Sequence, residues 1–183
     1  LGVPILINVE NAVAAMTIAY LNGVTKEELQ HAIETFKGIE RRFDFQLQTE
    51  NVRFIDDYAH HPEELKASIQ SIRKLYPNKS ICGIFQPHLY TRTRDFATEF
   101  ANSLSLLDSV ILLDIYPARE LPIKGVSSKM IFKHIQCKNK SICSKEDLLE
   151  EIKKYNFDVL ITLGAGDIDK MVPLITQQLK KQL

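Results

Sequence analysis

Four short segments of this chain concentrate side chains capable of chemistry. They are Asp56-Asp57-Tyr58-Ala59-His60-His61-Pro62, Gln86-Pro87-His88-Leu89-Tyr90-Thr91-Arg92-Thr93-Arg94, Asp114-Ile115-Tyr116-Pro117-Ala118-Arg119-Glu120 and Gly164-Ala165-Gly166-Asp167. Two adjacent carboxylates closing an apolar run are costly to place without a use, because a charge near an interior must be solvated or paired. The alternative for Asp56-Asp57 is a solvated turn or a helix N-cap. His60 and His61 point to hydrogen bonding rather than to zinc, since adjacent side chains diverge and no third ligand stands at zinc-like spacing. Arg92 and Arg94 carry guanidinium forks suited to a phosphate or carboxylate. Their spacing predicts a place just before a helix N-terminus, where free N–H groups add to the attraction, with a helix-surface salt bridge as the alternative. Gly164-Ala165-Gly166 predicts a tight strand-to-helix turn, but it lacks the third glycine of the dinucleotide fingerprint. The chain has no Gly-x-x-x-x-Gly-Lys-Ser/Thr loop, nucleophile elbow, Cys-x-x-Cys or His-Glu-x-x-His. It therefore has no loop of the usual kind for cradling a nucleoside triphosphate.

The elements that must position these segments follow from apolar patterning. Strands are predicted at Val52–Asp56, Ser80–Phe85, Ser109–Ile115, Lys140–Cys143 and Asp158–Leu163, with helices near Glu63–Leu75, Asp95–Leu106, Lys129–Ile135, Lys145–Lys154 and Asp167–Gln182. Continuous apolar strands such as Val110-Ile111-Leu112-Leu113 suit a parallel sheet covered on both faces. The alternation Phe43, Phe45, Leu47 adds an antiparallel hairpin strand that turns near Glu50-Asn51 and pairs with Val52–Ile55. Residues 41–183 thus read as a doubly wound, Rossmann-like α/β domain with a mainly parallel sheet. In such sheets ligands bind at the carboxyl ends of the strands. All four segments fall on that edge, and surface decoration would scatter over both edges.

Residues 1–40 read differently. Asn11 to Gly23 is apolar at helical spacing, and Thr25 with Glu28 forms a capping box for a second helix running to about Phe36. Two short helices cannot enclose a core, so this segment is expected to be the tail of a preceding domain. The absence of an initiator Met before Leu1 reads the same way, as an excised piece.

Composition narrows the classes. Of 183 residues 45% are hydrophobic, and 23 basic side chains balance 23 acidic ones. That balance disfavours a general nucleic-acid or anionic-membrane binder, so any anion must be met by a local cluster. Cys82, Cys137 and Cys143 show no paired spacing and read as reduced thiols of a cytoplasmic protein.

The four segments, together with Asn8-Val9-Glu10-Asn11-Ala12 and Gly38-Ile39-Glu40-Arg41-Arg42-Phe43, resemble the Mur ligase family of peptidoglycan synthesis, in particular its members that add the first amino acid. The resemblance runs through essentially the whole chain, in order. It implies that residues 1–40 end the family's central ATPase domain and that 41–183 form its C-terminal domain. The UDP-sugar domain and the phosphate loop are not in the chain. The activity implied is ATP-dependent. The muramyl carboxylate of UDP-N-acetylmuramate is phosphorylated to an acyl phosphate, L-alanine's amine attacks, and phosphate leaves, with magnesium neutralising the transferred group. By the same resemblance Asn8 and Asn11 approach the adenine, Arg42 meets the ATP phosphates, and Asp57 meets the nucleotide. Tyr58, His60, His88 and Arg92 line the amino-acid side, with His61 and Arg94 as further candidates. No metal ligand is assigned within the chain, and the piece alone is expected to be inactive.

The chain departs from the family pattern at three places. Ile7 stands where many members have His, Leu89 where many have Arg, and Arg119 where glycine is frequent. Ile7 removes an adenine contact, and Leu89 shifts the burden of carboxylate binding to Arg92 and Arg94. Alternatives are a family relative that recycles a tripeptide onto UDP-muramate and a non-catalytic nucleotide-binding module of the same fold.

Overall fold

The computed structural model describes residues 6–181, with side chains from Asn8 onward, so the side chain of Ile7 lies outside the described residues. The chain divides into two compact units, Leu1–Glu40 and Arg41–Leu183.

The first unit consists of helices α1 (Leu6–Leu21) and α2 (Lys26–Thr35). Helix α1 starts earlier than the sequence spacing predicts, and it carries Asn8 and Asn11 one turn apart. Gly23 takes a left-handed φ of 90° after it. Helix α2 opens as expected: Thr25 Oγ1 accepts from Glu28 N at 3.3 Å, and Glu28 Oε2 accepts from Thr25 N at 2.9 Å.

The second unit is built on strands β1 (Asp44–Gln48), β2 (Arg53–Asp57), β3 (Ile81–Phe85), β4 (Ser109–Leu112), β5 (Asn139–Ile142) and β6 (Val159–Leu163). Their order in the sheet is β1-β2-β6-β3-β4-β5. Strand β1 runs antiparallel to β2, with a register shift between Phe45 and Leu47; all other pairs are parallel. Strands β3 and β6 are buried at every residue, which is why they read as mostly apolar runs. Helix α3 (Pro62–Leu75) turns Leu65, Ile69 and Ile72 inward and packs on α5 (Ala97–Leu104), which in turn meets α6 (Lys129–Phe132). Helices α7 (Leu148–Ile152) and α8 (Val172–Lys181) pack together. The chain moves one way along the sheet through α3 and α5 and returns through α7 into β6. Right-handed crossovers therefore put the two helix groups on opposite faces, a doubly wound α/β sheet as the apolar patterning predicts.

Several predicted boundaries change, three of them beside the loops that follow the strands. The helix predicted at Asp95–Leu106 is α5, which starts at Ala97, and an unpredicted short helix α4 (Tyr90–Asp95) precedes it, the two separated at Phe96 with φ −122°. Strand β4 stops at Leu112, short of the predicted Ile115. The last helix begins as a 3₁₀ turn over Asp167–Met171, and α-helix sets in where Pro173, which has no N–H to donate, occupies the first turn.

Candidate functional site

The site is built from the loops after β2, β3, β4 and β6. At the end of β2, Asp56 Oδ1 accepts from Thr162 Oγ1 at 2.6 Å, joining two paired strands. Burial raises the Asp56 carboxyl above its ordinary range, against the pull of Thr162 and Arg41. Asp57 is 8% exposed. Its Oδ2 accepts from Ser68 Oγ at 2.6 Å and its Oδ1 from Ala59 N at 3.0 Å. Burial pushes this carboxyl up to about 6, only partly offset by those two bonds. The resemblance assigns Asp57 to the nucleotide. In the structure Asp57 also holds the turn, because a carboxylate two residues ahead of an N–H closes an Asx turn.

That turn launches a file of rings along the sheet edge. Tyr58 meets His60 edge-on at 5.1 Å, His60 meets His88 at 6.0 Å, and His88 stacks on Tyr116 at 5.7 Å with planes 25° apart. The loops after β3 and β4 are laced together beneath it: Tyr116 N donates to Pro87 O at 2.8 Å, and Leu89 N donates to Tyr116 O at 2.9 Å. His60 Nδ1 lies 3.0 Å from Tyr58 O. His88 is pulled below the usual imidazole range by burial, then by Arg92 and His60. Its ring is therefore neutral at neutral pH, with a nitrogen lone pair to offer. Arg92 Nη1 sits 3.4 Å from His88 Nδ1, so the structure brings Tyr58, His60, His88 and Arg92 together.

Three expectations change. Arg92 and Arg94 do precede a helix, α5, but they lie in the last turn of a short helix of their own, because Leu89 adopts φ 73° and starts α4 at once. The N–H of Thr91 in its first turn is already taken by Glu120 at 3.0 Å. His61 leaves the file and packs edge-on against Phe96 at 5.0 Å. Arg94 turns away as well. Its Nε donates to Asp95 at 2.7 Å, and it lines a separate hollow with Met130, Lys133 and His134.

Other residues of the edge receive no role from the sequence, although Gln86, Asp114, Tyr116 and Asp167 stand in the four segments. Gln86, 2% exposed, donates to Asp167 Oδ1 at 2.9 Å and accepts from Ile168 N at 2.9 Å. Lys145 Nζ pairs with Asp167. Together with Asp114 and Tyr116 these residues line an open cleft of about 340 Å³. Gly166 lies close against two of these side chains: a Cβ there would overlap Gln86 Oε1 and stand 2.7 Å from Tyr116. The available signal was position, since Gln86 directly follows a wholly buried strand.

Arg41 was also missed. Its Nη2 donates to Gly164 O at 2.8 Å and Gly166 O at 3.3 Å, its Nη1 to Asp169 at 3.3 Å, and its Nε faces Asp56 at 3.5 Å. The guanidinium also lies over the Tyr58 ring, 5.0 Å from its centre. Arg42, next in the chain, is exposed, and none of the described residues gives its side chain a hydrogen bond or ion pair. That free fork fits an anion. Among the described residues no cluster of three or more His, Cys, Asp or Glu side chains is placed to hold a metal ion. Asn8 and Asn11 belong to the first unit.

Comparison with known proteins bears on this arrangement. Residues 41–166 match the family described as Mur ligase, glutamate ligase domain. A UDP-N-acetylmuramate–L-alanine ligase from Phocaeicola vulgatus is 56% identical over 183 residues, all of this chain and 40% of that protein. The crystal structure of a UDP-N-acetylmuramate–alanine ligase from Thermotoga maritima superposes with a TM-score of 0.80 at 28% identity, covering 99% of this chain and 39% of that one. A murein peptide ligase from Psychrobacter arcticus shares the fold, with a TM-score of 0.67 at 20% identity over 95% of this chain and 37% of its own. The chain thus spans about 40% of the length of the curated relatives it matches.

Proposed function

Because the chain belongs to the Mur ligase family through that family's glutamate ligase domain, we propose that it is the C-terminal portion of a cytoplasmic, ATP-dependent ligase joining L-alanine to UDP-N-acetylmuramate in peptidoglycan precursor synthesis. One observation carries the reading. The ring file Tyr58-His60-His88-Tyr116, the Arg92 fork and the free Arg42 guanidinium all stand on the carboxyl edge of one sheet.

In this reading Arg92 takes the carboxylate of the amino acid as a bidentate partner, and the neutral His88 beside it fixes the fork. His60 and Tyr58 line the adjoining wall, where the amine must be aimed at the activated carbonyl. Arg42 meets the phosphates of ATP, and Asn8 and Asn11 approach its adenine. Asp57 serves the site by holding the turn that carries Tyr58 and His60. When bound, magnesium supplies charge neutralisation at the transferring phosphoryl group. Its ligands lie mainly in the parts of the enzyme that this chain does not contain.

The full-length enzyme, given ATP, UDP-N-acetylmuramate and a panel of amino acids and peptides, tests the proposal through ADP release. Turnover is expected with L-alanine. Preference for a tripeptide would move the chain to the peptide-recycling relatives, and no turnover with any acceptor would leave a nucleotide-binding module. The 183-residue chain alone should release no ADP; a rate near that of the full enzyme would refute the assignment of phosphate handling to the absent domains.

A further inference from the structure

Arg42 is mounted between two anchored neighbours. Arg41 and Phe43 both take left-handed backbone conformations, with φ 59° and 52°, which L side chains adopt only where their surroundings enforce it. Phe43 is 1% exposed and packs edge-on against Phe45 at 5.8 Å, so one foot of the turn is sunk in the core. The other foot is Arg41. Its carbonyl accepts from Tyr58 N at 2.6 Å, while its guanidinium reaches Gly164 O at 2.8 Å and Asp169 at 3.3 Å. These partners come from the ends of β2 and β6, neighbours in the sheet and far apart in sequence. A fork bonding several carbonyl and carboxylate oxygens at once fixes a backbone position that a flexible ammonium cannot. Arg42 in between is free, which is the arrangement a fixed cationic finger requires.

We propose that Arg41 is a positioning residue: it clamps the first residue of the α/β unit to the ends of β2 and β6, so that Arg42 is presented to an anionic ligand from a rigid mount. The proposal rests on the reading of Arg42 as a phosphate contact. Arg41 itself never touches the ligand.

The test is a cycle in the full-length enzyme comprising wild type, Arg41→Ala, Arg41→Lys, Arg42→Ala and Arg41→Lys/Arg42→Ala. The readouts are affinity for a non-hydrolysable ATP analogue with magnesium, by calorimetry, and thermal unfolding. Loss of a charge-assisted contact corresponds to roughly 10–150-fold in affinity, expected for Arg42→Ala. Arg41→Ala should weaken binding by about 3–10-fold, part of that same contact, and Arg41→Lys by less. The double variant should bind no more weakly than Arg42→Ala alone, because a mount matters only while it carries its finger. Should Arg41→Ala fail to fold, Arg41→Lys carries the comparison. A lowered melting temperature with unchanged affinity in both Arg41 variants would overturn the proposal and leave a purely structural clamp. Losses that multiply in the double variant would overturn it too. Unchanged affinity in Arg42→Ala would instead defeat the reading of Arg42, and the proposal with it.

Discussion

Two open hollows of the α/β unit are similar in size, about 340 Å³ at the carboxyl edge and about 300 Å³ beside Arg94. They differ in how their walls are held. At the edge, buried Gln86 is bonded to both Asp167 and Ile168, Lys145 pairs with Asp167, and Tyr116 is shared with the ring file. Beside Arg94 the walls are helix-surface side chains, and the ion pair there joins sequence neighbours, each side chain 50% exposed. Volume therefore says little about use. The edge is distinguished by side chains fixed several times over by groups from different strands, the condition a preorganised site has to meet.

The largest expected effect on that contrast comes from Gly164→Ala. Gly164 has φ 143°, and a Cβ there would stand 2.8 Å from the backbone oxygen of Gln86. Strain and clash together should cost about 3 kcal/mol, or roughly 6–12 °C in thermal unfolding of the chain. Thr98→Ala, in the other hollow, should change stability by no more than about 0.5 kcal/mol. Equal shifts would erase the distinction between the two regions.

Next in size is the pH response of Asp57. A carboxyl raised to about 6 binds its proton more tightly in the folded state than in the unfolded one. Its contribution to stability is complete below the unfolded value near 4 and is lost as pH rises through 6. Asp57→Asn should therefore gain stability relative to wild type between pH 4 and 8, on the order of 2 kcal/mol, measured by denaturant titration at each pH. Asp95, held below the usual carboxylate range by Arg94, has its transition at lower pH, so Asp95→Asn should leave this window flat.

Arg92→Ala should raise the apparent KM for L-alanine in the full-length enzyme at least about tenfold, with Arg92→Lys recovering part of the loss. Arg94→Ala, whose partner Asp95 faces solvent, should leave that KM unchanged. Steady-state kinetics with alanine varied decides the matter, and an effect of Arg94 equal to that of Arg92 would return Arg94 to the site.

Smallest is Leu89→Gly. Leu89 holds φ 73° and ψ 137°, a conformation natural to glycine. Relief of strain exceeds the added entropy of the unfolded chain by about 0.5–1 kcal/mol, a rise of roughly 1–4 °C. A fall instead would show that packing of the leucine side chain dominates.

Leu89 also shows where sequence reasoning stops. Strands such as Ile81–Phe85 and Val159–Leu163 were readable because burial on both faces leaves mostly apolar runs, and from their ends the edge that carries the candidate site could be located. The departures come from contacts distant in sequence. The bridge between His88 and Tyr116 sets the turn that moves Arg92 and Arg94 into a helix. Phe96 captures His61, and Ser68, eleven residues on, turns Asp57 inward. Arg41 escaped because the oxygens to which its guanidinium donates, on Gly164, Gly166 and Asp169, lie more than 120 residues away, and nothing nearby in the sequence announces them.

The sheet's two flanks carry a further consequence. Strand β1 is interrupted by the register shift between Phe45 and Leu47, which twists its outer rim. Strand β5 has four residues and carries Lys140, whose ammonium is drawn aside to Phe132 O at 2.9 Å and Ile135 O at 2.7 Å and lies over the Phe132 ring. Short, kinked or charged rims are poor templates for recruiting another chain's backbone. During synthesis and refolding, such rims guard against edge-to-edge aggregation, and they leave the strand-end face, with its rings and arginines, as the part of the sheet still open to other molecules.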